Sequence, residues 1–278
     1  MTLNQVPTKR HWSIHLLETR EDQIKQLLSR FEPISLAEMD NVSLPNRIDT
    51  KYLFGVSQLL TALRQMTKQY RVLEVEGIRL SQYSTLYFDT PDFELYRQHH
   101  NAFGTRYKVR TRSYVDSNLS FFEIKHKTNQ GRTIKSRYQT GDIEIELGKK
   151  ADEFVRSNTP VCGANLEPKL WNDFRRVTFV SMYRQERLTI DVKLAFDQGE
   201  TSMELPGVVI AEVKQAHRSH SSDFVQLMRL LGIRPTSFSK YCAGASLLYD
   251  HLTHNNFKIG LRQLDKVMQG ESVHDFPR

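Results

Sequence analysis

The stretch Tyr107–Tyr114, which reads YKVRTRSY, decides how the fold is predicted. Its β-branched and aromatic residues are typical of a strand. Because side chains alternate along a strand, Lys108, Arg110 and Arg112 would share one face, and Val109 would lie on the other. Like charges this close together destabilise a sheet unless water or an anion separates them. The strand therefore faces either open solvent or something strongly negative.

The same alternation of cations recurs in the segments that follow. Residues 120–127 place Lys125 and Lys127 on one face, and the next run of β-like sequence places Lys135 and Arg137 on one face. A solvated face of an antiparallel sheet also shows alternating charges. Such a face usually mixes both signs, however, and these side chains are almost all cations. The residues alone leave a solvated face and an anion site as open alternatives.

The composition indicates an ordinary globular protein. The chain has 278 residues, of which 39% are hydrophobic and 26% charged, and its formal net charge is +7. This charge suits an anionic partner but does not identify one.

Cys162 and Cys242 are far apart and lack metal-ligand spacing, which favours free thiols in a reducing compartment. No stretch approaches eighteen apolar residues, so we expect a cytosolic chain that neither is secreted nor spans a membrane. Docking on a membrane protein is left open.

The pattern along the chain predicts an α+β fold in a single domain, residues 1–278, with its core at about 44–250. An N-terminal helix is predicted at 20–31, and a polar, loosely ordered tail after about residue 252. Further helices are predicted at 56–68, 150–157, 166–175, 222–231 and 240–248. Strands are predicted at 51–54, 81–89, 107–114, 120–127, 143–147, 177–186, 188–196 and 208–215. The many antiparallel-type strands would form a sheet large enough to curl or close, with helices at its periphery.

Several classes of site are excluded by their missing motifs. The sequence has no P-loop, no GxGxxG, no kinase signature and no HExxH. Nucleic-acid binding would need aromatic side chains exposed among the cations, whereas these aromatics are expected to pack in the sheet. Glu212 is a lone acid in the strand VVIAEVKQ. It is either an ion-pair partner of the cations or a ligand for a divalent cation that bridges phosphate oxygens.

An ordered set of motifs resembles a known family. The motifs are NRIDTKYLF, STLYFDTPDFELYRQHHNAFGTRYKVRTRSY, FFEIKHKTNQGRTIKSR, YRQERLTIDVKLAF, VVIAEVKQ and FSKYCAGASLL. They follow one another as in VTC domains, the catalytic domains of the vacuolar transporter chaperone polyphosphate polymerases. That family belongs to the triphosphate tunnel metalloenzyme superfamily. The resemblance spans roughly residues 44–249.

The resemblance implies an antiparallel β-barrel tunnel in which ATP gives its γ-phosphoryl group to a growing polyphosphate chain, with Mn²⁺ or Mg²⁺ as cofactor. Together with the strand faces, it assigns catalytic roles to Lys51, Arg110, Arg112, Lys125, Arg184 and Lys240, substrate binding to Arg47, Lys127, Lys135, Arg137, Lys214 and Ser239, and metal binding to Glu212. The expected partners are ATP and inorganic polyphosphate or triphosphate, and no nucleic acid is expected. Two alternatives stay open: a tripolyphosphate hydrolase of the same fold, and a non-enzymatic module that binds polyphosphate or inositol phosphates.

Overall fold

A strongly curved sheet lies at the centre of the computed structural model, which describes residues 12–40, 47–217, 219 and 221–270. The strands are β1 (Pro33–Ile34), β2 (Ile48–Gly55), β3 (Tyr70–Leu73), β4 (Ser81–Asp89), β5 (Arg106–Tyr114), β6 (Leu119–Lys127), β7 (Thr133–Thr140), β8 (Glu167–Ser181), β9 (Glu186–Asp197), β10 (Ser202–Leu205), β11 (Val208–Gln215) and β12 (Pro235–Thr236). The helices are α1 (Trp12–Leu28), α2 (Leu36–Asp40), α3 (Val56–Met66), α4 (Glu94–His100), α5 (Lys149–Asn158), α6 (Asp223–Leu230), α7 (Lys240–Leu248) and α8 (Lys258–Met268).

The predicted α+β class with an antiparallel sheet is confirmed. The main path of the sheet runs β12-β2-β11-β9-β8-β4-β5-β6-β7, and every neighbouring pair on it is antiparallel. The sheet curves strongly but is not closed by hydrogen bonds, because β7 and β12 are its two ends within the described chain. The tunnel expected from the resemblance is therefore bounded by a sheet with two free edges. No described helix is both long and apolar enough to cross a membrane.

Three apolar clusters pack around the sheet, and the second of them borders the charged side chains on its concave face. α1, α3 and α6 cover one part, where Phe54 and Ile190 are fully buried. α4, α7 and α8 cover a second part around Tyr87 and Leu170. α5 covers β5 and β6, where Val109 packs with its neighbours on the face opposite the cations. The alternation along β5 thus places apolar side chains outward and cations inward.

Two predicted elements are wrong. The segment predicted as a helix at 166–175 belongs to β8, which pairs with β4 on one side and β9 on the other. Long-range pairing outweighed the helical spacing of its apolar residues. The strand predicted at 143–147 does not form. Instead, Glu144 accepts hydrogen bonds from Thr111 through its backbone oxygen and from Tyr138 through its carboxylate, which fixes the segment against β5 and β7.

The helix boundaries near the C-terminus agree with their predicted signals. Ser222 caps α6 and accepts from the backbone N–H of Val225, and Gly232 follows the helix with a φ of 67°. Ser239 caps α7 in the same way. At the N-terminus, the helix predicted at 20–31 is α1, which begins earlier, at Trp12. The region predicted as a polar tail contains α8, whose apolar side packs on the second cluster.

Candidate active site

The charged face of the curved sheet, called the basic face below, gathers cations from six strands and the start of α7. Its cations are Lys51, Lys108, Arg110, Arg112, Lys125, Lys135, Arg176, Lys214 and Lys240. Electrostatic influence crosses the concave surface: Glu212 on β11 affects the pKa of Lys125 on β6. Lys51 on β2 likewise affects the pKa of Lys108 on β5. The curvature therefore brings side chains from distant strands into one site.

A first carboxylate on this face, Glu123, lies between two cations. Nε and Nη2 of Arg110 donate to its Oε2 at 2.9 and 2.6 Å, and Lys135 forms an ion pair with its Oε1. Glu123 is fully buried. Burial alone would raise the pKa of Glu123, but Arg110, Arg112 and Lys135 hold it well below its usual range. Glu123 is thus a fixed negative charge at neutral pH.

A second carboxylate, Asp191, is held in the same manner. Nε and Nη2 of Arg176 donate to its two oxygens at 2.6 and 2.8 Å, in a bidentate pair, and Lys240 forms an ion pair with Oδ2. Burial would raise the pKa of Asp191, but the two cations hold it well below its usual range. Burial lowers the pKa of Lys240 to about 8, an effect that Asp191 opposes and Arg176 reinforces.

The third carboxylate is Glu212, which accepts from Lys51 and Lys214, each at 2.7 Å. Lys214 also donates to Thr189 at 2.8 Å. Burial would raise the pKa of Glu212, but Lys214 and Lys51 hold it well below its usual value. Each of the three carboxylates therefore has two cationic partners, so the basic face keeps a surplus of positive charge.

Three cations of the basic face have no carboxylate partner within the described chain. Lys125 makes no hydrogen bond or ion pair there, and the charge of Arg110, followed by burial, holds the pKa of Lys125 well below its usual value. Arg112 donates to Thr85 at 3.1 Å. Lys108 donates to Ser239 at 2.9 Å. None of the three forms an ion pair with a described carboxylate, so the arrangement suits a polyanion that would bind them directly.

Aromatic rings hold the guanidinium groups in place. Tyr83 and Phe174 stack with centroids 5.1 Å apart, and the guanidinium carbons of Arg112 and Arg176 lie 5.6 and 5.2 Å from each ring. Tyr87 accepts from Arg110 at 3.4 Å. Rings that fix the direction of a cation reduce the entropy lost when it binds an anion.

The predicted site residues divide into three groups. Those that the fold brings to the basic face or its edge are Lys51, Arg110, Arg112, Lys125, Lys135, Lys214, Ser239, Lys240 and Glu212. At the rim, Arg137 lies over the ring of Phe121 at 4.5 Å, Lys127 is within electrostatic reach of Lys51, and Arg47 is exposed and bonded to Asp49 at 3.0 Å.

Arg184 is not brought to the basic face. It lies in the turn between β8 and β9, exposed, and its nearest carboxylate is that of Asp223 at 3.9 Å. Its predicted position on a strand fails because β8 ends at Ser181. Arg176, five residues before Ser181 on β8, occupies the interior instead. Sequence reasoning missed Arg176 and its partner Asp191, although alternation along β8 would have found Arg176 once that segment was read as a strand.

The oxygen ligands on the basic face decide whether a divalent metal fits there. The described residues contain no group of three or more His, Cys, Asp or Glu side chains arranged to hold a metal. Glu212 is the predicted ligand, and both its oxygens bind lysines. Mg²⁺ and similar ions often take one or two carboxylates and complete their shell with substrate phosphates and water. Glu212 therefore fits a metal shared with bound phosphates, provided that Lys51 and Lys214 turn toward those phosphates.

The low pKa of Lys240 predicts a pH dependence of anion binding. Below pH 8 the ammonium is charged, and as the pH rises through about 8 it loses its proton. We expect tripolyphosphate affinity to fall over that interval, and the fall should be smaller in a Lys240→Met variant. Calorimetric titrations at several pH values measure this. Parallel profiles for the two proteins would show that Lys240 does not titrate in this range.

Solved structures offer distant similarities. A Bacillus halodurans protein described as a proposed adenylate cyclase is 14% identical, with a TM-score of 0.46; the match covers 73% of this chain and 97% of that one. A Hippeastrum protein described as a proposed adenylyl cyclase with a dominant triphosphatase activity is 13% identical, with a TM-score of 0.45 and coverage of 72% and 96%. No activity is assigned to this chain from either similarity.

A comparison with curated proteins finds no significant match. A family model does match: the model described as VTC domain aligns with residues 46–249. This range contains β2 to β12 and the whole of α7, hence every cation of the basic face. Because the match covers most of the chain, the chain belongs to the VTC domain family.

Proposed function

We propose that the chain is an ATP–polyphosphate phosphotransferase that lengthens polyphosphate on the basic face with the help of Mn²⁺ or Mg²⁺. The observation that carries the proposal is the excess of basic side chains over carboxylates on the basic face. Three carboxylates each bind two cations, while Lys125, Arg112 and Lys108 have no acidic partner in the described structure. Membership of the VTC domain family supports polymerisation as the reaction.

The residues present suit phosphoryl transfer because that reaction asks a protein mainly to position groups and to neutralise charge. Arg110, Arg112 and Lys125 would bind oxygens of the transferred γ-phosphoryl group. A terminal oxygen of the acceptor chain attacks the γ-phosphorus, the new P–O bond forms, and the bond to the β-phosphate oxygen breaks to release ADP. No protein nucleophile is required. A divalent metal bound with Glu212 would neutralise further phosphate charge.

Product analysis tests the proposal. The protein is incubated with ATP and Mn²⁺, and separately with tripolyphosphate and Mn²⁺, and the products are separated on a gel. A ladder of long phosphate chains from ATP is expected. Hydrolysis of tripolyphosphate to orthophosphate and pyrophosphate, with no long chains formed from ATP, would replace the proposal with a hydrolase. Tight binding of phosphate chains without turnover under any metal would replace it with a binding module.

A cytosolic location and docking on a membrane-protein partner are part of the proposal. The two cysteines are both free thiols: Cys242 is a buried residue of α7, and Cys162 is half-buried. Free thiols accord with a reducing compartment. A membrane-protein partner rests on the family resemblance, and no surface on the described chain identifies one.

Replacing Glu212 by Gln separates metal use from anion binding. The amide keeps the shape but removes the charge, so we expect metal-dependent turnover to fall at least about 100-fold. Tripolyphosphate affinity measured without metal should stay about the same or tighten, because Lys51 and Lys214 lose their competing carboxylate. Mn²⁺ binding in the presence of tripolyphosphate, followed by electron paramagnetic resonance, should weaken in parallel.

The matched control is Glu204→Gln on β10, an exposed carboxylate away from the basic face. It should keep wild-type turnover and Mn²⁺ binding. Wild-type turnover in Glu212→Gln would remove Glu212 from the metal role.

A further inference from the structure

The free edges of the sheet lie on either side of the basic face. β7 pairs with β6 alone, and β12 pairs with β2 alone, at Lys51 and Tyr52. In the described chain, β7 forms no ladder with β2 or β12. The hydrogen-bonded sheet around the charged interior is therefore interrupted between β7 on one side and β2 with β12 on the other. We call this interruption the lateral opening.

Exposure of the charged side chains increases toward this opening. In the middle of the sheet, the side chains of Arg110 and Glu123 are 5% and 0% exposed. At the two sides of the opening, the side chains of Lys135 and Lys51 are 38% and 32% exposed. Lys135 is bonded to the same buried Glu123 as Arg110. The interior charge is therefore continuous with solvent at the edge of the sheet, from one strand to the next.

The two edges of the sheet differ in how far other elements cover them. On the β2 side, β12 pairs with the strand, and Gln263 of α8 donates to the backbone oxygen of Leu53 at 3.1 Å. On the β7 side, Lys135 and Arg137 are exposed and no described strand or helix pairs with the edge. Cations on an edge strand discourage pairing with another strand. The same cations would attract a phosphate chain that approaches from the side.

Cations also act on one another electrostatically across the opening. The pKa of Lys127 on β6 is lowered by burial first, and then by Arg106, Lys51 and Lys108. Lys51 belongs to β2, on the far side of the opening, so its charge reaches Lys127 across the gap. An anion placed between these side chains would interact with both sides at once.

We propose that polyphosphate enters the basic face sideways through the lateral opening, so that internal segments of a long chain, without a free end, are ligands of this site. The proposal rests on the proposed function in taking phosphate chains as the ligand. It differs from end-on threading, which admits only a chain with at least one unblocked end. Internal binding would let the protein hold a long acceptor chain at any point along its length.

Chains with blocked ends test the proposal. Polyphosphate of one defined length is prepared with both ends free, one end coupled to streptavidin, or both ends coupled to streptavidin. Each sample competes with a fluorescent tripolyphosphate for the full-length protein. We expect the doubly blocked chain to displace the probe with an affinity within about threefold of the free chain. A loss beyond about tenfold for the doubly blocked chain alone, or binding without displacement of the probe, would overturn sideways entry.

A charge reversal at the opening adds a kinetic test. Arg137→Glu should slow association of the doubly blocked chain, since a charge at the rim of a site changes chiefly the association rate. The matched control is Arg156→Glu on the outer helix α5, which should leave that rate unchanged. Equal rates in the two variants would contradict entry beside Arg137.

The competition experiment separates the two proposals. If the tripolyphosphate probe itself fails to bind the wild-type protein, the proposed function fails. If the probe binds and blocked chains do not compete, sideways entry alone fails.

Discussion

Replacing Lys125 by Met is expected to weaken tripolyphosphate binding by about 10- to 100-fold while raising the melting temperature. Lys125 has no hydrogen bond or ion pair in the described chain, and the charge of Arg110 and burial both lower its pKa. A lysine whose pKa is lowered in the folded state destabilises the fold at every pH below its ordinary value. Removing the charge removes that cost, and removing the ammonium also removes a ligand for the anion.

Varying the pH tests whether the charge on Lys125 destabilises the folded protein. Because the folded protein binds fewer protons at Lys125 than the unfolded chain, wild-type stability should rise as pH increases from neutral toward the ordinary lysine pKa of about 10.4. The Met variant should lack this part of the rise. Anion binding should also be coupled to proton uptake in the wild type, which calorimetry in buffers of different ionisation enthalpy detects. Lys125→Met should take up fewer protons.

Lys68→Met is the matched control, since Lys68 is exposed after α3 and its loss changes the net charge equally. It should leave both affinity and melting temperature unchanged. A Lys125→Met protein that is less stable than the wild type would show that Lys125 packs as a structural side chain. Unchanged affinity would place Lys125 outside the anion site.

Local alternation allowed much of the basic face to be predicted, because the side-chain direction along β5 and β6 follows from the strand period alone. Arg110, Arg112 and Lys125 fall on the inner face for that reason. Arg176 was missed for a different reason. The segment before it carries apolar residues at helical spacing and was predicted as a helix at 166–175, so the alternation of β8 was not applied to it.

The ion-pair pattern and the open edge depend on contacts between distant parts of the chain. Asp191 and Lys240 are 49 residues apart and meet only because α7 packs against β8 and β9. Closure of the sheet would require pairing between β7 and β2, which are separated by most of the other strands. Periodicity along one segment carries no information about such pairings. For Glu212, the sequence left two roles open; the structure shows ion pairs with Lys51 and Lys214, and the metal role stays a proposal.

Replacing Glu123 by Gln is expected to cause the largest loss of stability, about 3–5 kcal/mol in the free energy of unfolding. The carboxylate is fully buried and binds both Arg110 and Lys135. An amide leaves these two cations uncompensated beside Arg112 and Lys125. Breaking a buried ion pair by removing one partner costs far more than the pair itself contributes. Urea unfolding at neutral pH measures the loss.

Two further measurements test whether Glu123→Gln loses stability because the negative charge is lost. The pKa of Glu123 is held below its usual range, so its stabilisation is present at neutral pH and is lost as pH falls through the folded-state pKa. The stability difference between wild type and Glu123→Gln should therefore narrow in acid. Saturating tripolyphosphate should raise the melting temperature of the variant more than that of the wild type, because the anion supplies the missing negative charge. Glu153→Gln, on the exposed side of α5, should change neither quantity. A loss of stability in Glu123→Gln that is independent of both pH and tripolyphosphate would instead indicate a packing defect.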